Sequence, residues 1–141
     1  MTIENQPINR RALFAGLCGV VALSIAPVPA NANSAIKKLS GGRLSVQLKK
    51  IKELQTVGGS VRIGTVKGKP VAITRTGAST YNAFTLLCPH QGVEVTKSDA
   101  GWRCSAHGSE FAANGGLELG PATSDLPKVP IRVVRGVATV G

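Results

Sequence analysis

The sequence predicts an all-β fold in a single domain, and three observations carry that reading. Glycine and proline are abundant, at 17 and 8 of 141 residues, which favours short strands joined by turns over packed helices. After residue 35 there is little of the Leu-rich three-to-four periodicity that a helical bundle requires. Between residues 60 and 87 three β-prone runs follow one another, each separated from the next by turn residues. The length leaves room for one domain, and the 43% hydrophobic content is enough for an ordinary small core.

Taken in order, SVRIGTV (60–66) alternates and stops at the turn KGKP. VAITRT (71–76) follows and stops at GAS, and TYNAFTLL (80–87) runs straight into Cys88. These three are expected to form consecutive antiparallel strands. VEVTKSDAGWR (93–103) begins with alternation and contains a Ser98-Asp99-Ala100-Gly101 turn, so a further hairpin is expected there. KVPIRVVRG and VATVG (128–141) predict a closing hairpin that turns near Arg135 and Gly136. No internal repeat, second domain or low-complexity tail is visible.

The first 32 residues are expected to be an address rather than part of the fold. Arg10 and Arg11 precede an uncharged run from Ala12 to Ala30, and Ala30-Asn31-Ala32 is a small-x-small cleavage pattern. NRRALF (9–14) resembles the twin-arginine export signal, although Asn9 replaces the usual Ser or Thr and no Lys follows Phe14. The resemblance implies a signal peptide over 1–32, a domain over 33–141 and a periplasmic location. An ordinary secretory signal and a retained inner-membrane anchor stay open, since about 20 apolar residues span a bilayer; Pro27 and Pro29 count against the anchor. Cys18 lies within this segment and would be lost on cleavage.

From Asn33 onward, 15 Lys and Arg against 6 Asp and Glu leave a formal charge of +9. Nucleic acid is a poor match, because the whole chain offers only Trp102, Tyr81 and three Phe for stacking bases. The cluster Lys37, Lys38, Arg43, Lys49, Lys50 and Lys52 could steer docking to an acidic protein or an anionic membrane surface, or simply keep a solvated face soluble.

The chemistry is concentrated in CPHQGVEVTKSDAGWRCSAHGSEF (88–111), which holds both histidines and two of the three cysteines. Cys88-x-His90 and Cys104-x-x-His107 each offer one thiolate and one imidazole. That symmetry suits an asymmetric two-metal centre in which both cysteines take one iron and both histidines the other. A mononuclear Cys2His2 zinc site uses the same donors, and a Cys88–Cys104 disulfide is allowed in an oxidising compartment. The disulfide would leave both histidines without a role, and zinc sites more often pair C-x-x-C with H-x-x-x-H.

CPHQG (88–92), CSAHGS (104–109) and GPATSDLPKVPIRV (120–133) together resemble the Rieske iron-sulfur family over nearly all of the chain after residue 32. The resemblance implies an antiparallel β-sandwich with an inserted cluster-binding subdomain and one [2Fe-2S] cluster per chain. By the same resemblance Cys88 and Cys104 ligate the buried iron, and His90 and His107 ligate the outer iron with their edges toward solvent. The Gly120-Pro121-Ala122 loop, with Pro121 at its centre, would shield one side of the cluster, and the Ser109 hydroxyl would donate to a bridging sulfide or nearby. Two departures stand out. The loop cysteines that form a bracing disulfide in cytochrome bc relatives are replaced by Val93 and Ala106. Phe111 stands where those relatives carry a hydrogen-bonding Tyr.

Rieske potentials span roughly −150 to +300 mV, and the missing Tyr donor places this centre below the quinol-oxidising members. The chain is expected to pass one electron at a time, with proton exchange at the outer histidines, and to be no enzyme by itself. With both histidines committed, none remains for a mononuclear iron site of the two-His-one-carboxylate kind. The expected partner is a redox protein such as a cytochrome or a larger oxidase subunit. GPATSDLP (120–127) also resembles a segment of the arsenite oxidase small subunit. A quinol-cytochrome c reductase subunit and a cluster-free interaction module remain as alternatives.

Overall fold

The structure is a computed structural model that describes residues 34–141. The expected signal segment, with Arg10, Arg11 and Cys18, lies outside the described residues. Twelve strands occur among those described: β1 (Ile36–Lys38), β2 (Leu44–Gln47), β3 (Ser60–Val66), β4 (Lys69–Arg75), β5 (Tyr81–Thr85), β6 (Thr96–Lys97), β7 (Gly101–Arg103), β8 (Glu110–Ala112), β9 (Leu117–Leu119), β10 (Lys128–Val129), β11 (Ile131–Val134) and β12 (Val137–Val140). They pair antiparallel into three four-stranded sheets, in the orders β1-β2-β12-β11, β10-β5-β4-β3 and β6-β7-β8-β9. Short 3-10 turns at Leu48–Lys50 and Lys52–Gln55 lie between β2 and β3.

The expected β3–β4–β5 meander is present, and two of the turns follow from their residues. Lys67 and Gly68 take φ of 49° and 78°, and Arg135 and Gly136 take 49° and 78°. Two successive left-handed residues match the twist of a two-residue hairpin. The Ser98–Gly101 turn also forms, with Gly101 N–H donating to Ser98 Oγ at 3.2 Å and Ser98 N–H to the Gly101 carbonyl at 2.9 Å.

Three features differ from the sequence expectation. The closing segment 128–134 is two strands in two sheets, because Pro130 has no N–H with which to continue a ladder. β1 and β2 were not foreseen, since their apolar residues are sparse and the sheet forms only when β2 pairs with β1 on one side and β12 on the other. β8 and β9 likewise escape a local reading, being three residues each.

Strand β4 explains why the molecule has two cores. Val71, Ala72, Ile73 and Thr74 are all buried, as expected for a strand covered on both faces. Val71 and Ile73 pack with Leu44, Val46, Leu54, Ala138 and Val140 in one core. Ala72 points the other way, with Phe84, Leu86, Trp102, Phe111 and Leu126, into a second core that also contains Cys88 and Cys104. The sheet containing β4 is thus the middle layer. One side meets the sheet of β1, β2, β11 and β12, and the other supports residues 88–126, the ligand lobe.

Candidate metal centre

All four predicted ligands sit at the tips of two hairpin-like loops with the same backbone design. The first loop leaves β5 through Leu86 and is closed by a Leu87–Glu94 bridge. Cys88 N–H donates to the Val93 carbonyl at 2.8 Å, and Gly92 N–H returns to the Cys88 carbonyl at 2.7 Å. The second loop connects β7 to β8. Cys104 N–H donates to the Ser109 carbonyl at 2.8 Å, and Gly108 N–H returns to the Cys104 carbonyl at 2.9 Å. Each loop therefore closes by one bond five residues on and one from a glycine four residues on. Gly92 and Gly108 adopt φ of 70° and 79°, a region that costs other residues steric strain.

Burial separates the donors two by two. Cys88 and Cys104 are 2% and 1% exposed, and neither forms a disulfide. His90 and His107 are exposed, with ring centroids 4.7 Å apart and planes crossed at 82°. Among the described residues no three His, Cys, Asp or Glu side chains gather closely enough to hold one ion. A tetrahedral zinc site asks for convergence on one point, whereas a two-iron centre asks for two donors per metal. Two buried thiols and two exposed, adjacent imidazoles fit the second requirement in donor chemistry and in their division two by two.

The remaining predicted residues lie beside these loops. Ser109 is fully buried, and its Oγ accepts the Ala122 N–H at 3.0 Å. That bond ties the Gly120-Pro121-Ala122 loop to the second ligand loop and leaves the hydroxyl hydrogen uncommitted. Pro121 is exposed and follows a cis peptide bond. Behind it, Asp125 Oδ1 accepts Leu117 N–H at 2.8 Å, and Leu126 N–H donates to the Gly115 carbonyl at 2.9 Å.

Two supporting contacts were not foreseen from the sequence. The Trp102 indole donates to Ser60 Oγ at 3.2 Å and meets Phe84 edge-on at 6.1 Å. Lys97 Nζ lies 4.9 Å from the centroid of the outer Trp102 face. Burial pushes the Lys97 ammonium below its usual pKa, and the Glu53 carboxylate opposes that shift in part. Only the unusual lone Trp, two residues before Cys104, could have flagged this position.

Electrostatically the tip is neutral. Residues 88–93, 104–109 and 120–124 contain no Asp, Glu, Lys or Arg, so a partner can approach the histidine edges without stripping water from a charge.

Comparison with known proteins adds an independent finding. The family model described as "Rieske [2Fe-2S] domain" matches residues 45–130. The ferredoxin component of the alkene monooxygenase system of Xanthobacter autotrophicus is 31% identical over 65 residues, covering 43% of this chain. The chain spans about half of that relative's length, at 53%. Among solved structures, a cyanobacterial plasma membrane Rieske protein from Synechocystis is 32% identical with a TM-score of 0.47, covering 53% of this chain and 79% of that one. A complex of reduced oxygenase and oxidized ferredoxin in carbazole 1,9a-dioxygenase matches at 23% identity with a TM-score of 0.51, covering 72% and 94%. This last likeness is one of fold.

Proposed function

Because the chain belongs to the Rieske [2Fe-2S] family, we propose that it is an exported one-electron carrier that serves a larger oxidase-type partner. When bound, the [2Fe-2S] cluster supplies one-electron redox chemistry at a potential set by its ligands and surroundings. The observation that carries the reading is the division of the four donors into two buried thiols and two exposed imidazoles 4.7 Å apart.

Each residue then has a part. Cys88 and Cys104 supply thiolates inside the second core, where water is excluded. His90 and His107, both exposed, would each supply one ring nitrogen to the outer iron. Ser109 positions the Pro121 loop through Ala122 and keeps a hydroxyl hydrogen to donate inward. The uncharged tip around the histidines is the surface on which a redox partner docks. Nothing on this chain leaves a histidine free for substrate chemistry, so the reaction served takes place on the partner. The alkene monooxygenase ferredoxin component supports the carrier role.

Export is part of the same proposal. A cluster assembled in the cytoplasm must cross the inner membrane in a folded protein, and the Arg10-Arg11 pair before an apolar run suits that route into the periplasm, with residues 1–32 removed.

The test is an anaerobic potentiometric titration of the protein matured in the cytoplasm, followed by low-temperature EPR. A rhombic spectrum of low average g, lost in His90→Cys and His107→Cys, is the expected result. The higher average g of an all-cysteine cluster in the parent protein, or a colourless protein without iron and sulfide, would overturn it.

A further inference from the structure

Formal charge is divided sharply between the two parts of the molecule. Residues 88–126 carry five acidic and two basic side chains, a net −3, whereas the rest of the described chain carries thirteen basic and one acidic, a net +12. Part of that excess lies on one open sheet face. Lys37 is in register with Ser45, Ser45 with Thr139, and Thr139 with Arg132. Registered partners share a side of the sheet. Their strand neighbours Leu44, Val46, Ala138 and Val140 are buried, so this row faces outward. Arg43, with extended backbone at φ −84° and ψ 162°, continues the alternation of β2 onto the same face.

No Asp or Glu occurs anywhere in residues 36–47 or 131–140. The ion pairs among the described residues are Arg62–Glu94 and Arg103–Glu110, so none of these cations is neutralised in that way. A second outward row, Gln47, Val137 and Val134, is uncharged, and Val134 is 51% exposed. The face is therefore an aliphatic and hydroxyl surface set with long cationic side chains.

We propose that this outer sheet face docks on an anionic phospholipid surface, with the acidic ligand lobe turned away from it. Lys and Arg stems lie along apolar surface while their heads reach phosphate, and basic side chains at an anionic leaflet bind additively. The uncharged row favours lipid over an acidic protein: exposed Val134 and its registered neighbour Val137 offer aliphatic contact beside the cations, and a headgroup layer takes apolar and cationic side chains together. Repulsion between the same lipid charge and the ligand lobe would keep His90 and His107 open to a partner. The inference does not depend on the cluster.

The experiment uses residues 33–141, the form left once 1–32 are removed, with vesicles of phosphatidylcholine alone and with phosphatidylglycerol added. Binding is expected to rise with phosphatidylglycerol and to fall with salt. The triple variant Lys37→Gln, Arg43→Gln, Arg132→Gln should bind on the order of a hundredfold more weakly, and Arg132→Gln alone roughly fivefold. Circular dichroism checks that each variant is folded, and the single variant carries the test if the triple one is not. Hydrogen exchange on the vesicle should slow in 36–47 and 131–140 and stay unchanged in 88–93 and 104–109. Equal, salt-insensitive binding to neutral vesicles, or unaltered binding by a folded variant, would overturn the proposal. Retention on polyglutamate without preference for anionic vesicles would reassign the face to an acidic protein.

Discussion

Trp102 donates its indole N–H to Ser60 Oγ at 3.2 Å, and both residues are buried. The bond crosses from β7 of the ligand lobe to β3 of the middle sheet, 42 residues earlier. Together with the edge-on Phe84 contact, it fixes the strand that leads into Cys104 against the rest of the protein.

Removing the acceptor should therefore loosen the lobe as well as lower stability. Ser60→Ala leaves the indole N–H without its partner, at a cost of about 1–3 kcal/mol. Urea unfolding should show the loss, and hydrogen exchange should quicken in β7 and in residues 104–109. A groove of about 450 Å³ opens beside the bond. An unchanged unfolding midpoint would mean that water from this groove replaces the hydroxyl.

The two loop glycines should be interchangeable in effect. Gly92→Ala and Gly108→Ala meet no atom within 4 Å, but each places a Cβ at positive φ. Strain of about 1–2 kcal/mol is expected in each loop. Reconstituted iron content and cluster lifetime should fall similarly in both variants. A loss confined to one of them would show that the shared hydrogen-bond pattern is not what makes both loops competent.

Phe111 offers a test of the hydrogen bonds around the centre. It is 1% exposed and pairs with Trp102 across β7 and β8. Phe111→Tyr adds a hydroxyl donor at this position, and a hydrogen bond to a charged group contributes about 1.5–3 kcal/mol. The midpoint potential should rise by roughly 60–130 mV on the one-electron scale. Ser109→Ala should lower the potential and also cost stability, because it strands the buried Ala122 N–H. Protein-film voltammetry reads the potentials. A Phe111→Tyr potential equal to that of the parent would show that the added hydroxyl points elsewhere.

Lys97 gives a pH signature whose sign follows from its shift. Burial lowers its pKa below the ordinary 10.5, with Glu53 opposing in part. The unfolded chain thus binds its proton more tightly than the native one. Stability must rise as pH climbs from the native pKa toward 10.5, because native Lys97 sheds its penalised charge first. Lys97→Met should remove that alkaline rise, seen as the difference between the two proteins in urea unfolding on either side of this window. Equal pH profiles would show that Lys97 swings clear of the Trp102 face in solution.

Much of the fold and of the candidate site was legible locally. β3 announces itself by alternation, β4 and β5 by β-prone runs bounded by turn residues, and the turns at Lys67-Gly68, Ser98–Gly101 and Arg135-Gly136 by residue type. The candidate ligand set stands out because metal donors are scarce in this chain and fall at short fixed spacings. β1, β2, β8 and β9 could not be read, since each has too few apolar residues to show a period and forms only against a partner. Ser109 was expected as a donor alone; that its oxygen accepts from Ala122, thirteen residues away, is a fact of packing.

The sequence by itself determined which residues can carry the chemistry and which short segments bend or extend, because ligand identity, turn preference and strand alternation are properties of a few neighbouring residues. Tertiary structure alone decided that β4 serves two cores, that His90 and His107 stand 4.7 Å apart while Cys88 and Cys104 are buried, that Trp102 reaches Ser60, and that Lys37 and Arg132 share one open face. Each of these joins positions tens of residues apart, and such contacts are fixed by how whole sheets bury their apolar sides, which no local pattern specifies.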